Sequence, residues 1–114
     1  MTQSTGITIG IDVGTTSIKA HAFTMDGKIV GRASLPTPWN VLVNGQTEID
    51  IDVLADTAIH VMAESVPGSH LHGSVIGLGI TGMAETGVLV DARHRPLMSA
   101  IAWFDERGKN ELQE

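Results

Sequence analysis

Apolar and polar residues alternate with a period of two near the start of the chain. Ile7, Ile9, Ile11 and Val13 share one face, and Thr8, Gly10 and Asp12 share the other. Alternation of this kind marks a half-buried strand, so a strand is predicted over residues 7–13. The alternation resumes at Ser17, after Gly14-Thr15-Thr16, and predicts a second strand over residues 18–24. Asp26-Gly27 is a hairpin signal. A third strand over residues 28–35 ends at Pro36 and Pro38, because proline cannot donate to a ladder. These three segments make an antiparallel meander. Residues 39–50 follow neither period and read as a loop with an Asn44-Gly45 turn.

The period then changes to that of a helix. Val53, Leu54, Ala58, Val61 and Met62 form one apolar stripe, Asp50 or Asp52 supplies the cap, and Val66-Pro67-Gly68 stops it. After a loop over residues 69–74, the continuous apolar run at 75–81 reads as a strand buried on both faces. Shorter strands are predicted at 87–91 and 100–103, and the charges from Asp105 onward suit the start of a helix. Meander, helix and central strand together predict an α/β lobe. No internal repeat, low-complexity segment or linker interrupts the chain, whose length suits one domain.

Candidate chemistry gathers at the first turn, Asp12-Val13-Gly14-Thr15-Thr16-Ser17-Ile18-Lys19. Gly14 stands where the backbone must approach another group closely or take a positive φ. Successive N–H groups in such a turn form a concave anion site, and the hydroxyls of Thr15, Thr16 and Ser17 add donors. Asp12 suits a hydrated Mg²⁺, which is held by one or two carboxylates, phosphate oxygens and water. Lys19 adds a mobile positive charge. These parts suit the phosphates of a nucleotide. A plain tight hairpin accounts for the same residues equally well, with Asp12 as a turn acid and the threonines favoured by β propensity.

Two other phosphate motifs are excluded. No Gly-Lys-Ser/Thr run is present, and no helical pattern follows the turn. Gly77-x-Gly79-x-x-Gly82 matches the dinucleotide fingerprint in spacing, with Asp105 as the downstream acid. Its first glycines, however, fall inside a predicted strand, and no helix separates Gly82 from Val88. Glycines in such a strand mark a face that another backbone approaches closely.

The run from Asp12 to Lys19 resembles the first phosphate motif of the actin, heat-shock chaperone and sugar-kinase ATPase superfamily. A second block reads Gly77-Leu78-Gly79-Ile80-Thr81-Gly82-Met83-Ala84-Glu85-Thr86-Gly87-Val88-Leu89-Val90-Asp91. Pro96-Leu97 and Ala100-Ile101-Ala102-Trp103-Phe104-Asp105-Glu106-Arg107 follow it. In order and spacing this is similar to the FGGY carbohydrate kinases, among them xylulokinases, gluconokinases and glycerol kinases. The resemblance runs from Ile7 to Arg107.

The resemblance implies a ribonuclease-H-like (actin-like ATPase) lobe and phosphoryl transfer to a sugar or polyol hydroxyl. It implies ATP and Mg²⁺ as cofactors, with Asp12, Gly14, Thr15, Thr16, Ser17 and Lys19 on the phosphates and Asp12 on the metal. It places the acceptor beside Met83, Glu85, Trp103 and Asp105. Glu85 and Asp105 would accept bonds from hydroxyls, and Trp103 would offer a flat surface to a sugar's C–H face. Such kinases are two-lobed and several-fold longer. The expectation is therefore that residues 1–114 are the N-terminal part of the first lobe, that the second lobe is absent, and that the general base lies beyond Glu114.

Glycerol kinases carry Arg-Glu in the turn after the central strand, and xylulokinases carry Met-His. The corresponding positions here are Ala84-Glu85, which leaves the acceptor unassigned. Trp103 also reads as a core aromatic, and Arg107 as a structural ion-pair partner of Asp105. A non-kinase ATP-driven switch of the actin and chaperone branches shares the first motif, but the Trp-x-Asp-x-Arg block argues against it. A third reading is a self-associating module, and so a homodimer, built on an edge strand left bare.

Composition narrows the partners. With 13 Asp plus Glu against 7 Lys plus Arg, the net charge is −6, and no basic run offers a nucleic-acid or anionic-membrane surface. No apolar stretch reaches the length of a membrane span and no secretory leader pattern is present. The lack of cysteine fits a reducing cytoplasm, the expected location. His70-x-His72 reads as a solvated loop rather than a metal site. His21 and His60 read as packed or partly exposed side chains, and His94 as part of a turn.

Overall fold

The structure, a computed structural model, describes residues 6–68 and 75–113. The expected loop at 69–74, with His70 and His72, lies outside the described residues. The alternating segments form β1 (Ile7–Val13), β2 (Ser17–Thr24) and β3 (Ile29–Pro36). A hairpin, β4 (Asn40–Val41) and β5 (Thr47–Ile49), leads into helix α1 (Ile51–Ser65). Then come β6 (Val75–Gly82) and β7 (Ala100–Ile101), and a 3-10 turn at Glu111–Gln113.

Two sheets result, one ordered β3-β2-β1-β6 and the other β4-β5-β7. They belong to two compact units. One is built from the chain up to Thr37 and from Ala55 to Met83, the other from Pro38 to Leu54 and from Ala84 onward. Sequence reading finds no boundary because each unit is discontinuous. One of the crossings falls inside the first turn of α1, where no linker composition can mark it.

The first unit follows directly from its alternation. β1 pairs antiparallel with β2 from Ile7↔Thr24 to Val13↔Ile18, and β2 pairs antiparallel with β3. Ile7, Ile9, Ile11, Ile18, Ala20 and Ala22 are buried, each 7% exposed or less. Asp12, Lys19, His21 and Phe23 therefore fall on the opposite face. Asp50 caps α1, its Oδ1 accepting the N–H groups of Asp52 at 2.9 Å and Val53 at 3.3 Å. Only the C-terminal half of the helix is deeply packed, at Val61 and Ser65, so Val53 of the predicted stripe is instead exposed. Gly31 receives that end of the helix, because a Cβ there would lie 1.8 Å from the Ser65 carbonyl oxygen.

β6 departs from expectation. It pairs parallel to β1, from Ile7↔Val75 to Val13↔Gly82, and among the described residues it lies at the edge of its sheet. Val75, Ile76, Leu78 and Ile80 are consequently exposed instead of buried. Gly77, Gly79 and Gly82 all lie inside this strand, which removes the dinucleotide turn.

The second unit differs more from the sequence reading. Residues 39–50 hold the β4–β5 hairpin, closed over Asn44-Gly45, whose strands are too short to display a period. The predicted strand at 87–91 reduces to a single bridge, Val90↔Pro96. Asp91 organises the turn beyond it, accepting the N–H groups of Arg93 at 2.8 Å and Arg95 at 2.9 Å. His94 sits in that turn at φ 61°. The predicted 100–103 strand stops at Ile101, and turns rather than a helix follow Asp105.

Candidate functional site

The β1–β2 connection is a two-residue turn. Gly14 N–H donates to the Ser17 carbonyl at 3.0 Å, which leaves Thr15 and Thr16 at the tip. Gly14 is needed for space rather than for a positive φ. A Cβ at this position would lie 2.8 Å from the Ser17 carbonyl oxygen and 3.8 Å from both carboxylate oxygens of Asp12. The Asp12 carboxylate thus lies over the glycine. Asp12 pairs across the hairpin with Lys19, and both side chains are exposed.

Thr37, which sequence reading passes over as a strand end between two prolines, holds this turn. Its N–H donates to the Thr16 carbonyl at 3.0 Å, and its Oγ1 donates to the Gly14 carbonyl at 2.6 Å. Thr37 is 7% exposed. A groove of about 430 Å³ starts beside the turn, along the open face of the sheet, lined by Gly10, Asp12, Lys19, His21, Phe23 and Thr81 among others. Met83 belongs to this unit, and its N–H donates to the Val13 carbonyl at 2.9 Å, one step beyond β6.

The second unit brings together a different set. Glu85 holds φ 63°, a left-handed conformation uncommon outside glycine. Strained backbone of this kind concentrates at functional sites. The next residue, Thr86, accepts the Trp103 N–H on Oγ1 at 3.0 Å, so the backbone of Trp103 is tied to the turn carrying Glu85. Trp103 is about half exposed and meets Phe104 edge to face at 5.3 Å, while Phe104 meets Trp39 at 5.2 Å. Trp103 is therefore not the buried core aromatic of the alternative reading.

Asp105 does not join them as a presented carboxylate. Its side chain is 1% exposed. Its Oδ2 accepts the Thr47 N–H at 2.7 Å and Arg107 Nη2 at 2.9 Å, and its Oδ1 accepts Arg107 Nε at 3.0 Å. Arg107 also reaches Glu48 Oε1 at 2.7 Å. The Arg107 guanidinium, the Arg107 backbone N–H and the Thr47 N–H hold the Asp105 carboxyl far below the ordinary carboxylate range. Asp105 and Glu48 in turn raise Arg107. The Asp105 carboxylate, expected as a sugar contact, is buried and fastens the 105–107 segment to β5 through Thr47 and Arg107. Glu48 carries no signal in the sequence that could have revealed its part. A cavity of about 420 Å³ in this unit is lined by Gln46, Thr47, Phe104, Glu106 and Arg107 among others.

No group of three or more His, Asp or Glu side chains able to hold a metal occurs among the described residues. A lone carboxylate such as Asp12 fits only a cation that keeps most of its ligands as water or phosphate, as Mg²⁺ does. No helix among the described residues is long and apolar enough to cross a membrane.

Residues 7–114 match the N-terminal domain of the FGGY family of carbohydrate kinases, and the chain belongs to that family. Glycerol kinase 2 of Saccharolobus solfataricus is 29% identical over 107 residues, covering 92% of this chain and 21% of that protein. Xylulose kinase of Staphylococcus xylosus is 24% identical over 106 residues, covering 93% and 22%. The crystal structure of Plasmodium falciparum glycerol kinase with ADP matches at a TM-score of 0.80 and 27% identity, over 95% of this chain and 22% of that one. The chain thus spans about a fifth of the length of these relatives. Its architecture is the actin-like ATPase fold of the sugar kinases, as the sequence led us to expect.

Proposed function

We propose that this chain is the N-terminal part of the first lobe of a kinase that transfers the γ-phosphoryl of Mg-ATP to a sugar or polyol hydroxyl. The observation that carries the reading is the Gly14–Ser17 turn, with the Asp12 carboxylate over Gly14 and Lys19 opposite it. Family membership supports it, and one relative's structure holds ADP. In this reading Gly14, Thr15, Thr16 and Ser17 cradle phosphate oxygens, Lys19 offsets their charge, and Asp12 holds the hydrated Mg²⁺. Catalysis of this class rests on positioning and charge stabilisation. The acceptor hydroxyl also needs a general base, and no residue of this chain is assigned that part. The 114 residues alone are accordingly expected to release no ADP on adding glycerol, xylulose or gluconate.

Glu85 and Trp103 are assigned to the acceptor side, with Asp105 acting through Arg107 and Thr47 rather than by contact. The left-handed backbone at Glu85 supports its place in this group. The relatives named above are glycerol and xylulose kinases, and Ala84 matches the pattern of neither, so the acceptor is set here only as a polyhydroxy compound.

The test uses an active kinase polypeptide carrying these residues. Glu85→Gln should lower kcat/KM for the acceptor by roughly 5- to 150-fold, the equivalent of one to two lost hydrogen bonds. The KM for ATP should stay within about twofold. Equal shifts in both constants, or none in either, would show Glu85 to be structural.

A further inference from the structure

We propose that Thr37 is a positioning residue for the phosphate turn, setting its affinity for a nucleotide's phosphates without touching them. The inference rests on the phosphate reading above, but a separate set of contacts carries it. Both carbonyls that Thr37 engages, those of Gly14 and Thr16, belong to the turn itself. A carbonyl oxygen is a partial negative charge, and two of them left to rotate in a four-residue turn would repel an approaching phosphate. Thr37 occupies both with donors.

The peptide geometry extends the effect. Trans peptide groups are planar, so fixing a C=O fixes the following N–H in the opposite direction, and the described chain contains no cis peptide. Holding the Gly14 and Thr16 carbonyls therefore sets the directions of the Thr15 and Ser17 N–H groups. The anion site of such a turn consists of its N–H directions. Thr37 is itself stiff. It lies between Pro36 and Pro38, and a residue before proline is restricted to extended conformations. Ser17 pairs with Pro36 in the β2–β3 register, which brings Thr37 level with Thr16. The third strand of the meander thus ends in a rigid strut against the turn made by the first two.

The experiment titrates Mg-ATP, and separately inorganic tripolyphosphate, into the isotopically labelled 114-residue chain. The amide signals of Thr15, Thr16 and Ser17 report binding, and thermal melts are run alongside. Thr37→Val keeps the N–H bond to Thr16 and removes only the hydroxyl bond to Gly14. It should weaken the apparent Kd by roughly 3- to 10-fold for both ligands, the equivalent of one hydrogen bond. Thr37→Ser should return it to within about twofold of the parent chain. A variant that melts earlier yet binds with unchanged Kd would overturn the proposal and leave Thr37 a purely structural residue. No saturable shift in the parent chain would overturn the phosphate reading and this proposal together, which separates the two failures. If Thr37→Val does not fold, the parent chain still decides. Coupling is reciprocal, so saturating Mg-ATP must slow solvent exchange of the Thr37 hydroxyl by a similar factor. Unchanged exchange at saturation would overturn the proposal.

Discussion

The two units hold their candidate sites by opposite means. In the first, the candidate site hangs from backbone ladders: β1 pairs with β2 over its whole length, and the Gly14–Ser17 turn is where they meet. In the second, the strands are two, three and two residues long, and the site is held mainly by side chains reaching far along the sequence. Asp105 accepts from Thr47 across 58 residues, and Arg107 reaches Glu48 across 59. A ladder tolerates changes to side chains that face water but not intrusion into its packed face. A side-chain fastening tolerates crowding but depends on the charge of a few groups. The first unit should therefore be sensitive to volume, and the second to protonation.

The sharpest test of the volume side is Gly31→Ala. Its Cβ would fall 1.8 Å from the Ser65 carbonyl oxygen and 2.9 Å from Pro67 Cδ, so the end of α1 must move off β3. Overpacking costs about 1–3 kcal/mol and more where backbone must shift. We expect a loss at the upper end, near 3 kcal/mol, in denaturant unfolding of the chain. An alanine variant within about 0.5 kcal/mol of the parent would show that the helix end is not fixed against the sheet.

The protonation side predicts a smaller, pH-dependent effect. Asp105 has a folded pKa below its unfolded value of about 3.9. A depressed carboxylate contributes stability in full above the unfolded value and loses it as pH falls toward the folded one. The β4-β5-β7 amides should therefore keep their hydrogen-exchange protection down to about pH 5 and lose it progressively at lower pH, ahead of β1 and β2. Asp105→Asn should weaken protection in this sheet at neutral pH and remove its acid dependence, while leaving the first sheet unchanged. An acid response that strikes both sheets together in the parent chain would erase the distinction.

The same contrast explains what the sequence disclosed. The limits of β1 and the hairpin at Asp26-Gly27 follow from local alternation and turn chemistry, and so does the candidate site at Asp12, Gly14 and Lys19. The β4–β5 hairpin was hidden because strands of two and three residues have no period to read. The family resemblance brought out Trp103 and Glu85. What it could not show is that Asp105 turns inward, because that depends on Glu48 and Thr47 arriving from a distant segment. Thr37 was obscured for a different reason. Its flanking prolines signal the end of a strand, and only the folded register shows that the strand ends against the turn. The apolar run at β6 reads as a buried strand, whereas among the described residues only β1 pairs with it and its large apolar side chains stay exposed.

The central claim is that Asp12 and the Gly14–Ser17 turn bind a metal-complexed polyphosphate. The most direct measurement compares ATP binding to the parent chain and to Asp12→Asn, each with saturating Mg²⁺ and with excess chelator. Asp12 is exposed, so the substitution should leave the thermal midpoint nearly unchanged. The account predicts that Mg²⁺ tightens ATP binding to the parent chain by roughly tenfold, the equivalent of one charge-assisted interaction of about 1.4 kcal/mol. In Asp12→Asn that gain should vanish while metal-free ATP binds at least as well as before. The same Mg²⁺-dependent gain in both chains would contradict the claim and return the turn to a plain hairpin.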